Sequence, residues 1–372
     1  MEFIRENILK IITFIVILVI AVIIFTLVFG KKTVVNNPKT YNSMEESLLT
    51  SAKKYVDKNR NLLPKDESET SKVNLDTLVD SNYINEMSAI EDENVKCTGY
   101  VEIINKNDEY LFIPYLKCGK YYETKTLTDY LKDNVEIVNT GDGLYEYGKK
   151  YVYKGENPNN FVLLGDRLYR IIEINEDDEI RLITNKKIDQ YLVWDDRYNT
   201  DKKSNVGIND FSKSRLKEYL NQIIDVNDDG NGNYIFSEQE LQKIIPHDIC
   251  IGKRPSSDAS ISLETDCQAV EADQRLGLVT VSEYARASID PNCKSIYDKS
   301  CMNYNYFSRI SSTFRTLTAT TDNSYQVFMV ADSEAQLTRA SNSFSTYITV
   351  FIDSLSLYAD GDGTYENPYK VR

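Results

Sequence analysis

An apolar run close to the N-terminus constrains this chain more than any other feature of its sequence. Residues 11–29 (IITFIVILVIAVIIFTLVF) contain no charged side chain. At about 1.5 Å per residue, a helix of this length spans the ~30 Å hydrocarbon core of a bilayer. The segment FTLVFG at its end offers no small-residue cleavage site for a signal peptidase. We therefore expect one uncleaved transmembrane helix over residues 11–30, with the lipid bilayer as its partner through residues 11–29.

The cysteines favour an extracellular location for the rest of the chain. Basic residues flank the apolar run on both sides, so the positive-inside rule does not orient it. All cysteines follow the run in an even number and without a C-x-x-C motif, which is typical of disulfides in an oxidising compartment. We expect a single-pass cell-membrane protein with a cytoplasmic tail over residues 1–10, a stalk over residues 31–43 and extracellular C-terminal domains. The cysteines are Cys97, Cys118, Cys250, Cys267, Cys293 and Cys301.

The charge and the histidine content exclude several classes of function. The chain carries 43 Lys plus Arg against 57 Asp plus Glu, a net charge of −14 at pH 7. Such an acidic protein repels phosphate backbones, so we expect no nucleic-acid partner. The single histidine, His247, rules out a histidine-rich metal site and is the one histidine available to activate a catalytic thiol. We expect a protein that is not an enzyme and has no catalytic residues.

The region after the stalk, residues 44–136, is predicted to form a small α+β module. Ser43 opens an S-x-x-E capping box, which predicts the start of a helix. Apolar residues then recur at helical spacing until the chain reaches Pro64. A second short helix is predicted over residues 75–84. The apolar face of the first helix comprises Leu48, Leu49, Ala52, Tyr55 and Val56.

Residues 97–118 predict a β-hairpin that is closed by a disulfide. Two strand-like runs, residues 100–104 and 110–113, are separated by Asn107-Asp108, which suit a two-residue turn. The register set by this turn places Cys97 directly opposite Cys118, at a non-hydrogen-bonded pair where side chains approach closely. A cross-strand disulfide is the expected result, and two free buried cysteines are the alternative.

Residues 44–120 resemble a known class of small protein modules. Residues 44–120 contain, in this order, the segments AKKYVDKNRNLLP, VNLDTLVDSNYI, CTGYVEI and YLKC. Their order and spacing resemble small pilin-like surface modules of low-GC Gram-positive bacteria. The resemblance implies a pilin-like α+β fold behind an apolar N-terminal helix. It also implies a role in which anchored subunits contact one another in a pilus-like or envelope assembly.

Residues 137–372 are predicted to form a larger, mixed α+β domain. Alternating and continuous apolar runs predict strands over residues 161–164, 168–174 and 180–184. Two amphipathic helices are predicted over residues 212–224 and 237–245, the second with Ser237 as its N-cap. Two further strands, over residues 325–330 and 347–352, complete the prediction of an α+β fold class for the whole chain.

This C-terminal region also resembles a known domain. The matching segments are LYRII at 168–172, SRLKEYLN at 214–221, FSEQE at 236–240, LVTVSEY at 278–284, TLTA at 316–319 and GDGTYENPY at 361–369. They resemble a widespread bacterial domain of unknown function, related to C-type-lectin-like and sulfatase-modifying-factor-like folds. The resemblance implies the fold of residues 141–372 and brings no catalytic residues with it.

One loop of this domain is a candidate calcium site. Oxygen-bearing side chains occupy alternate positions, with a glycine at the sixth position for the turn, as in calcium loops. The glutamate expected at position 12 is Phe236 instead, and the same letters suit a metal-free turn. Calcium is thus the one cofactor considered, and 141–143 and 360–363 are interpreted as turns. The candidate ligands are Asp225, Asn227, Asp229, Asn231 and Asn233.

The remaining cysteines are expected to pair with their neighbours in sequence, Cys250 with Cys267 and Cys293 with Cys301, although other connectivities remain open. Tyrosine occurs 27 times against one tryptophan. Clusters of tyrosine interleaved with Asn and Ser suit a recognition surface, and they equally suit strands in which Tyr replaces Phe and Trp. The cluster considered comprises Tyr284, Tyr297, Tyr304 and Tyr306.

These observations favour a membrane-anchored extracellular protein that binds a glycan or protein ligand, or adheres to one, through its C-terminal domain. The first alternative is a structural component of a pilus-like or envelope complex. The second is a cell-surface hydrolase, whose paired carboxylates would be defined only in three dimensions. The sequence names no ligand-binding residues.

Overall fold

The computed structural model describes residues 40–67, 69–106, 109–188, 192–225, 227, 235–332 and 334–372. Within these ranges the fold is mixed α+β, as predicted from the sequence. No helix in the described ranges is long and apolar enough to cross a membrane. The predicted transmembrane helix, residues 11–30, lies outside the described residues, as do the predicted cytoplasmic tail and most of the predicted stalk.

The chain divides into two compact units, with the boundary between Tyr122 and Glu123. The described elements of the first unit share one apolar core and form a sheet in the order β1-β2-β3-β4. These elements are α1 (Tyr41–Lys58), a 3-10 turn (Arg60–Leu62), β1 (Thr70–Asn74), α2 (Leu75–Asp80), β2 (Thr98–Lys106), β3 (Glu109–Cys118) and β4 (Tyr122–Glu123).

The first helix begins earlier than its predicted cap. Thr40 is the N-cap, and Ser43 is the third helical residue, whose hydroxyl accepts a hydrogen bond from the Thr40 backbone N–H at 3.0 Å. The prediction of Ser43 as the cap was wrong because Thr40 provides an equivalent hydroxyl one turn earlier. The extra turn lets Tyr41 stack on Tyr122, with ring centroids 4.2 Å apart. The predicted apolar face packs on the core: Leu48, Ala52 and Val56 are buried, and Leu49 and Tyr55 are partly buried against them.

The hairpin prediction is confirmed in strand identity and in register. Strands β2 and β3 pair antiparallel from Thr98 opposite Lys117 to Lys106 opposite Glu109. Cys97 and Cys118 form a disulfide, with their Cα atoms 4.1 Å apart. The predicted turn residues, 107 and 108, lie outside the described residues.

Two local features of the first unit differ from the prediction. Helix α2 ends at Asp80 instead of continuing to residue 84, because Asn82 adopts a left-handed backbone conformation with φ 58°. Strand β1, which pairs with β2, has no counterpart in the prediction. Its sequence TSKVN is mostly polar and buries only Val73, so it gives no apolar signal.

The second unit begins before the predicted residue 137. Its first helix, α3 (Leu127–Asn134), lies in the region assigned from sequence to the pilin-like module. Leu127 and Leu131 are fully buried in the core of the second unit, and the Leu127 N–H donates to the Ser356 carbonyl at 2.8 Å. The partners of this helix lie far away in sequence, which is why local patterns placed the boundary too late.

The main sheet of the second unit runs, among the described residues, in the order β11-β19-β9-β8-β7-β21-β20, with β6 beside β8 and β5 beside β6. Its strands are β5 (Gly143–Tyr147), β6 (Lys150–Lys154), β7 (Phe161–Leu164), β8 (Arg167–Ile174), β9 (Ile180–Thr184), β11 (Ile244–Ile245), β19 (Thr349–Ile352), β20 (Tyr358–Asp360) and β21 (Tyr369–Val371). Strands β7, β8 and β9 confirm the predicted strands.

Smaller sheets and short helices surround this sheet. One sheet has four strands in the order β13-β15-β16-β17. Two further sheets have two strands each, β10 with β18 and β12 with β14. These strands are β10 (Leu192–Val193), β12 (His247–Cys250), β13 (Lys253–Arg254), β14 (Val270–Gln274), β15 (Phe314–Thr320), β16 (Gln326–Ala331), β17 (Glu334–Arg339) and β18 (Ser343–Phe344). The helices are α4 (Arg215–Asp225), α5 (Glu238–Lys243), α6 (Leu263–Asp266), α7 (Val281–Arg286) and α8 (Tyr306–Ile310), with 3-10 turns at Phe211–Lys213 and Lys299–Met302.

The helix predicted over residues 212–224 is interrupted at Ser214, whose extended backbone separates the 3-10 turn from α4. The Ser214 hydroxyl accepts a hydrogen bond from the Lys217 N–H at 3.1 Å, which starts a new helix. The Ser237 cap of α5 is confirmed as a capping box with Glu240. Helix α5 ends at Lys243, because the next two residues form β11 and pair with β19.

Candidate ligand-binding cleft

Two adjoining cavities in the second unit share Asn185 and Tyr365 as lining residues. Cavity A has a volume of about 480 Å³ and cavity B about 620 Å³. Together we call them the cleft. Cavity A is lined by Asn157, Pro158, Asn159, Phe161, Arg170, Asn185, Arg309, Thr364, Tyr365 and Glu366. Cavity B is lined by Asp166, Arg167, Leu168, Asn185, Lys186, Ile235, Phe236, Ser237, Glu240 and Tyr365.

Two aspartates in glycine-rich turns position the walls of cavity A. The Asp142 carboxylate accepts hydrogen bonds from the N–H groups of Glu156 and Asn157, both at 2.9 Å. Asp362 accepts from the Thr364 N–H at 3.0 Å and from its hydroxyl at 2.7 Å. The interpretation of both segments as turns agrees with these contacts. Each carboxylate orders a loop that carries lining residues.

Gly363 lets these two walls approach each other closely. Its carbonyl accepts a hydrogen bond from the Phe161 N–H at 2.9 Å, and its φ of 76° lies in the left-handed region. A Cβ atom at this position would lie 2.3 Å from a ring carbon of Tyr369 and 2.4 Å from the Asn159 carbonyl. Only glycine fits here without displacing a wall of the cavity.

Tyr365 forms an exposed aromatic ridge between the two cavities. It is 62% exposed. The edge-to-face contact of its ring with Phe161, at a centroid distance of 5.4 Å and an interplanar angle of 81°, holds it in place. The ridge therefore presents a supported apolar face and a phenolic hydroxyl to solvent.

Arg170 lies buried at the floor of cavity A. Only 3% of its surface is exposed, and its guanidinium lies 4.2 Å from the Phe161 ring centroid and 4.9 Å from that of Tyr306. Its Nε donates to the Asn160 side-chain oxygen at 2.8 Å. Burial lowers the pKa of Arg170 to about 10, against smaller raising effects of Tyr306 and Asp142. The side chain is therefore still cationic at neutral pH.

The mouth of cavity A is polar and of mixed charge. Arg309 forms an ion pair with Glu156, so its charge is largely compensated. Glu366 contributes a negative charge to the lining. Three amide side chains, Asn157, Asn159 and Asn185, complete the wall and provide both hydrogen-bond donors and acceptors.

Cavity B is built around Glu240, a carboxylate that is buried and hydrogen-bonded. Its oxygens accept from Arg167 Nε at 2.9 Å, from the Tyr169 hydroxyl at 2.6 Å and from the Ser237 N–H at 2.7 Å. These contacts join β8 to the start of α5. Glu240 therefore stabilises the cavity wall and is not an unpaired carboxylate.

The calcium loop is only partly within the described residues. Asp225 ends helix α4 and is exposed. The Asn227 side-chain oxygen accepts from the Phe236 N–H at 2.8 Å, and its amide donates to the Phe236 carbonyl at 2.7 Å. This oxygen thus closes the loop on itself. Asp229, Asn231 and Asn233 lie outside the described residues, and the described part of the chain holds no cluster of three or more His, Cys, Asp or Glu side chains suited to a metal ion.

The four tyrosines considered from sequence do not form one surface. Tyr284 and Tyr306 are buried in the core, and Tyr306 supports Arg170 from inside. Tyr297 is half-buried, with its hydroxyl donating to the Ser256 carbonyl at 2.6 Å. Tyr304 is 55% exposed and lines neither cavity. For two of the four, the packing alternative is therefore the one that the structure shows.

All six cysteines are paired, which confirms Cys250–Cys267 and Cys293–Cys301 besides the hairpin disulfide. His247 consequently has no free thiol to activate. Its ring stacks on Phe351 at 3.8 Å, Nδ1 lies 2.8 Å from the Asp248 carbonyl, and Nε2 lies 3.3 Å from a Glu179 oxygen.

No protein-family model, curated protein or solved structure matches the chain. The ligand of the second unit is therefore inferred from the chemistry of the cleft. Its main residues, Arg170 and Tyr365, lie in the segments LYRII and GDGTYENPY that were singled out in the sequence. No local pattern predicts that β8 and the segment around Tyr365, which are far apart along the chain, line the same cavity.

Proposed function

We propose that this chain is a membrane-anchored extracellular surface protein whose second unit binds a glycan in the cleft, without catalysis. The exposed ridge formed by Tyr365 carries the proposal. A pyranose ring has an apolar face that packs on an aromatic ring, and a rim of hydroxyl groups that needs donors and acceptors. Tyr365 and Phe161 offer the first, and the asparagine amides of cavity A offer the second.

Two carboxylates that hold the walls of the cleft, Glu240 and Asp142, are already engaged in hydrogen bonds within the fold, which favours binding over hydrolysis by this pair. Glu240 already accepts three hydrogen bonds from protein groups, and Asp142 holds two backbone N–H groups. These hydrogen bonds hold the walls of the cleft in place. The membrane anchor and the extracellular location rest on the apolar run at residues 11–29 and on the disulfides, which form in oxidising compartments.

The test is binding of the full-length, oxidised chain in detergent micelles to a panel of oligosaccharides and cell-wall fragments. We expect saturable, selective binding that Tyr365→Ala weakens about tenfold or more, the loss typical of a central aromatic contact. Tyr198→Ala is the matched control, because Tyr198 is 59% exposed and lies outside both cavities. Absence of saturable binding, or an equal loss in both variants, would refute the proposal.

A further inference from the structure

Arg170 differs from the other buried arginines of the second unit in what surrounds its charge. Arg181 pairs with Glu283, and Arg254 lies 3.3 Å from an Asp266 oxygen. Among the described residues, no carboxylate lies within ion-pair distance of Arg170. Arg315 also lacks a carboxylate within the described ranges, but it lines neither cavity. Of these four arginines, Arg170 is the one that has no carboxylate within ion-pair distance among the described residues and also lines cavity A.

The guanidinium of Arg170 has hydrogen-bonding capacity to spare. Nε is used by Asn160, and Nη2 makes a long contact of 3.4 Å with the Pro158 carbonyl. Nη1 has no acceptor in the described part of the chain. An unpaired buried charge is costly to maintain, and the two aromatic rings that sandwich it compensate only part of that cost. An anion entering cavity A would accept the hydrogen bonds that the guanidinium of Arg170 still has to donate.

The surrounding charges restrict which anion fits. Arg309 is already paired with Glu156, while Asp142 is close enough to raise the pKa of Arg170 and Glu366 lines the cavity. A single positive charge that has no ion-pair partner, with two carboxylates farther away, suits an anion of one negative charge better than a doubly charged phosphate, which those carboxylates would repel. A planar carboxylate also matches the fork of a guanidinium. The volume of about 480 Å³ lies within the usual range for small-ligand sites.

We propose that cavity A binds a carboxylated sugar residue, whose carboxylate pairs with Arg170 while its ring lies against Phe161 and Tyr365. This inference rests on the proposed glycan-binding function and adds the chemical class of the ligand. The asparagine amides would then bind the sugar hydroxyls. Arg170 would act as the selectivity residue of the cleft.

The test compares glucose, glucuronate, glucuronate methyl ester and glucose 6-phosphate on the full-length chain in micelles by saturation-transfer NMR with competition. We expect glucuronate to bind at least about tenfold more tightly than the other three, because glucose and the methyl ester offer Arg170 no anion, and the doubly charged phosphate is repelled by Asp142 and Glu366. Preference for glucose 6-phosphate would overturn the choice of a carboxylate. Equal binding of all four would overturn the inference and leave glycan binding intact, whereas binding of none would overturn both.

A variant pair tests the role of Arg170 itself. Arg170→Lys keeps the charge and removes the fork, so the preference for glucuronate over glucose should fall severalfold. Arg315→Lys is the matched control, since Arg315 is equally buried and lies outside cavity A. Fluorescence of Trp194 reports whether each variant is folded. If a folded Arg170→Lys variant retains the full preference, the assignment of Arg170 is wrong; if that variant does not fold, the four-ligand comparison on the unchanged chain decides.

Discussion

Replacing Leu131 by alanine tests whether helix α3 belongs to the second unit. Leu131 is completely buried among residues of that core, and its helix is fixed there by the Thr128 hydroxyl, which donates to the Asp178 carbonyl at 2.7 Å. A helix held in this way relaxes little into a cavity. We therefore expect the substitution to lower the free energy of unfolding of the second unit by about 2–5 kcal/mol, the range for buried leucines.

The single tryptophan makes the measurement specific to one unit. Trp194 is buried in the core of the second unit, so its fluorescence, excited where tyrosine does not absorb, follows urea unfolding of that unit. Leu48→Ala is the matched control, because Leu48 is equally buried in the first unit. Helix α3 does not belong to the second unit if Leu131→Ala leaves the urea midpoint of the Trp194 transition unchanged, or if Leu48→Ala lowers that midpoint as much.

Two further predictions concern the turn that closes the cleft. Gly363→Ala should destabilise the second unit by more than Gly148→Ala does. At Gly148 nothing lies within 4 Å of the added Cβ atom, so that substitution costs only the ~1–2 kcal/mol of a left-handed backbone. Urea unfolding of the two variants measures the difference. The pKa of Asp360 is lowered by the Gly361 N–H and Lys370, and that of Asp362 by hydrogen bonds from Thr364. Their stabilisation should therefore be complete above the usual carboxyl pKa of 3.8 and lost as the pH falls through the lower folded-state values. The measurement is the protection of the amides of residues 360–367, that is, their exchange rate relative to the intrinsic rate at each pH. Protection that stays constant as the pH falls below ~4 would contradict this prediction.

The features that could be predicted from sequence depend on neighbours in sequence. The observed hairpin register is the one predicted from two turn residues between the strands, and the Cys97–Cys118 pair follows from that register. The Ser237 cap is likewise a local contact with Glu240. The unit boundary was placed too late because Leu127 and Leu131 are buried by partners distant in sequence.

The cleft could not be predicted because the residues that line it are also distant from one another in sequence. Arg170 in a strand pattern has the same appearance whether its charge is paired or faces a cavity, and only the packing of Phe161 and Tyr306 around it distinguishes the two. Tyr365 closely follows residues 360–363, which the sequence predicts to be a turn. Of the four tyrosines that cluster in the sequence, Tyr284 and Tyr306 are core residues.

The most direct test of the proposed cleft is hydrogen–deuterium exchange of the full-length chain in micelles, with and without the tightest-binding oligosaccharide of the panel. If a glycan binds in the cleft, the backbone of residues 157–161 and 364–366, the two walls of cavity A, should be protected from exchange. Tyr365→Ala should abolish this protection at the same ligand concentration. Protection confined to the first unit, or to the exposed segment around Tyr198, would contradict glycan binding in the cleft.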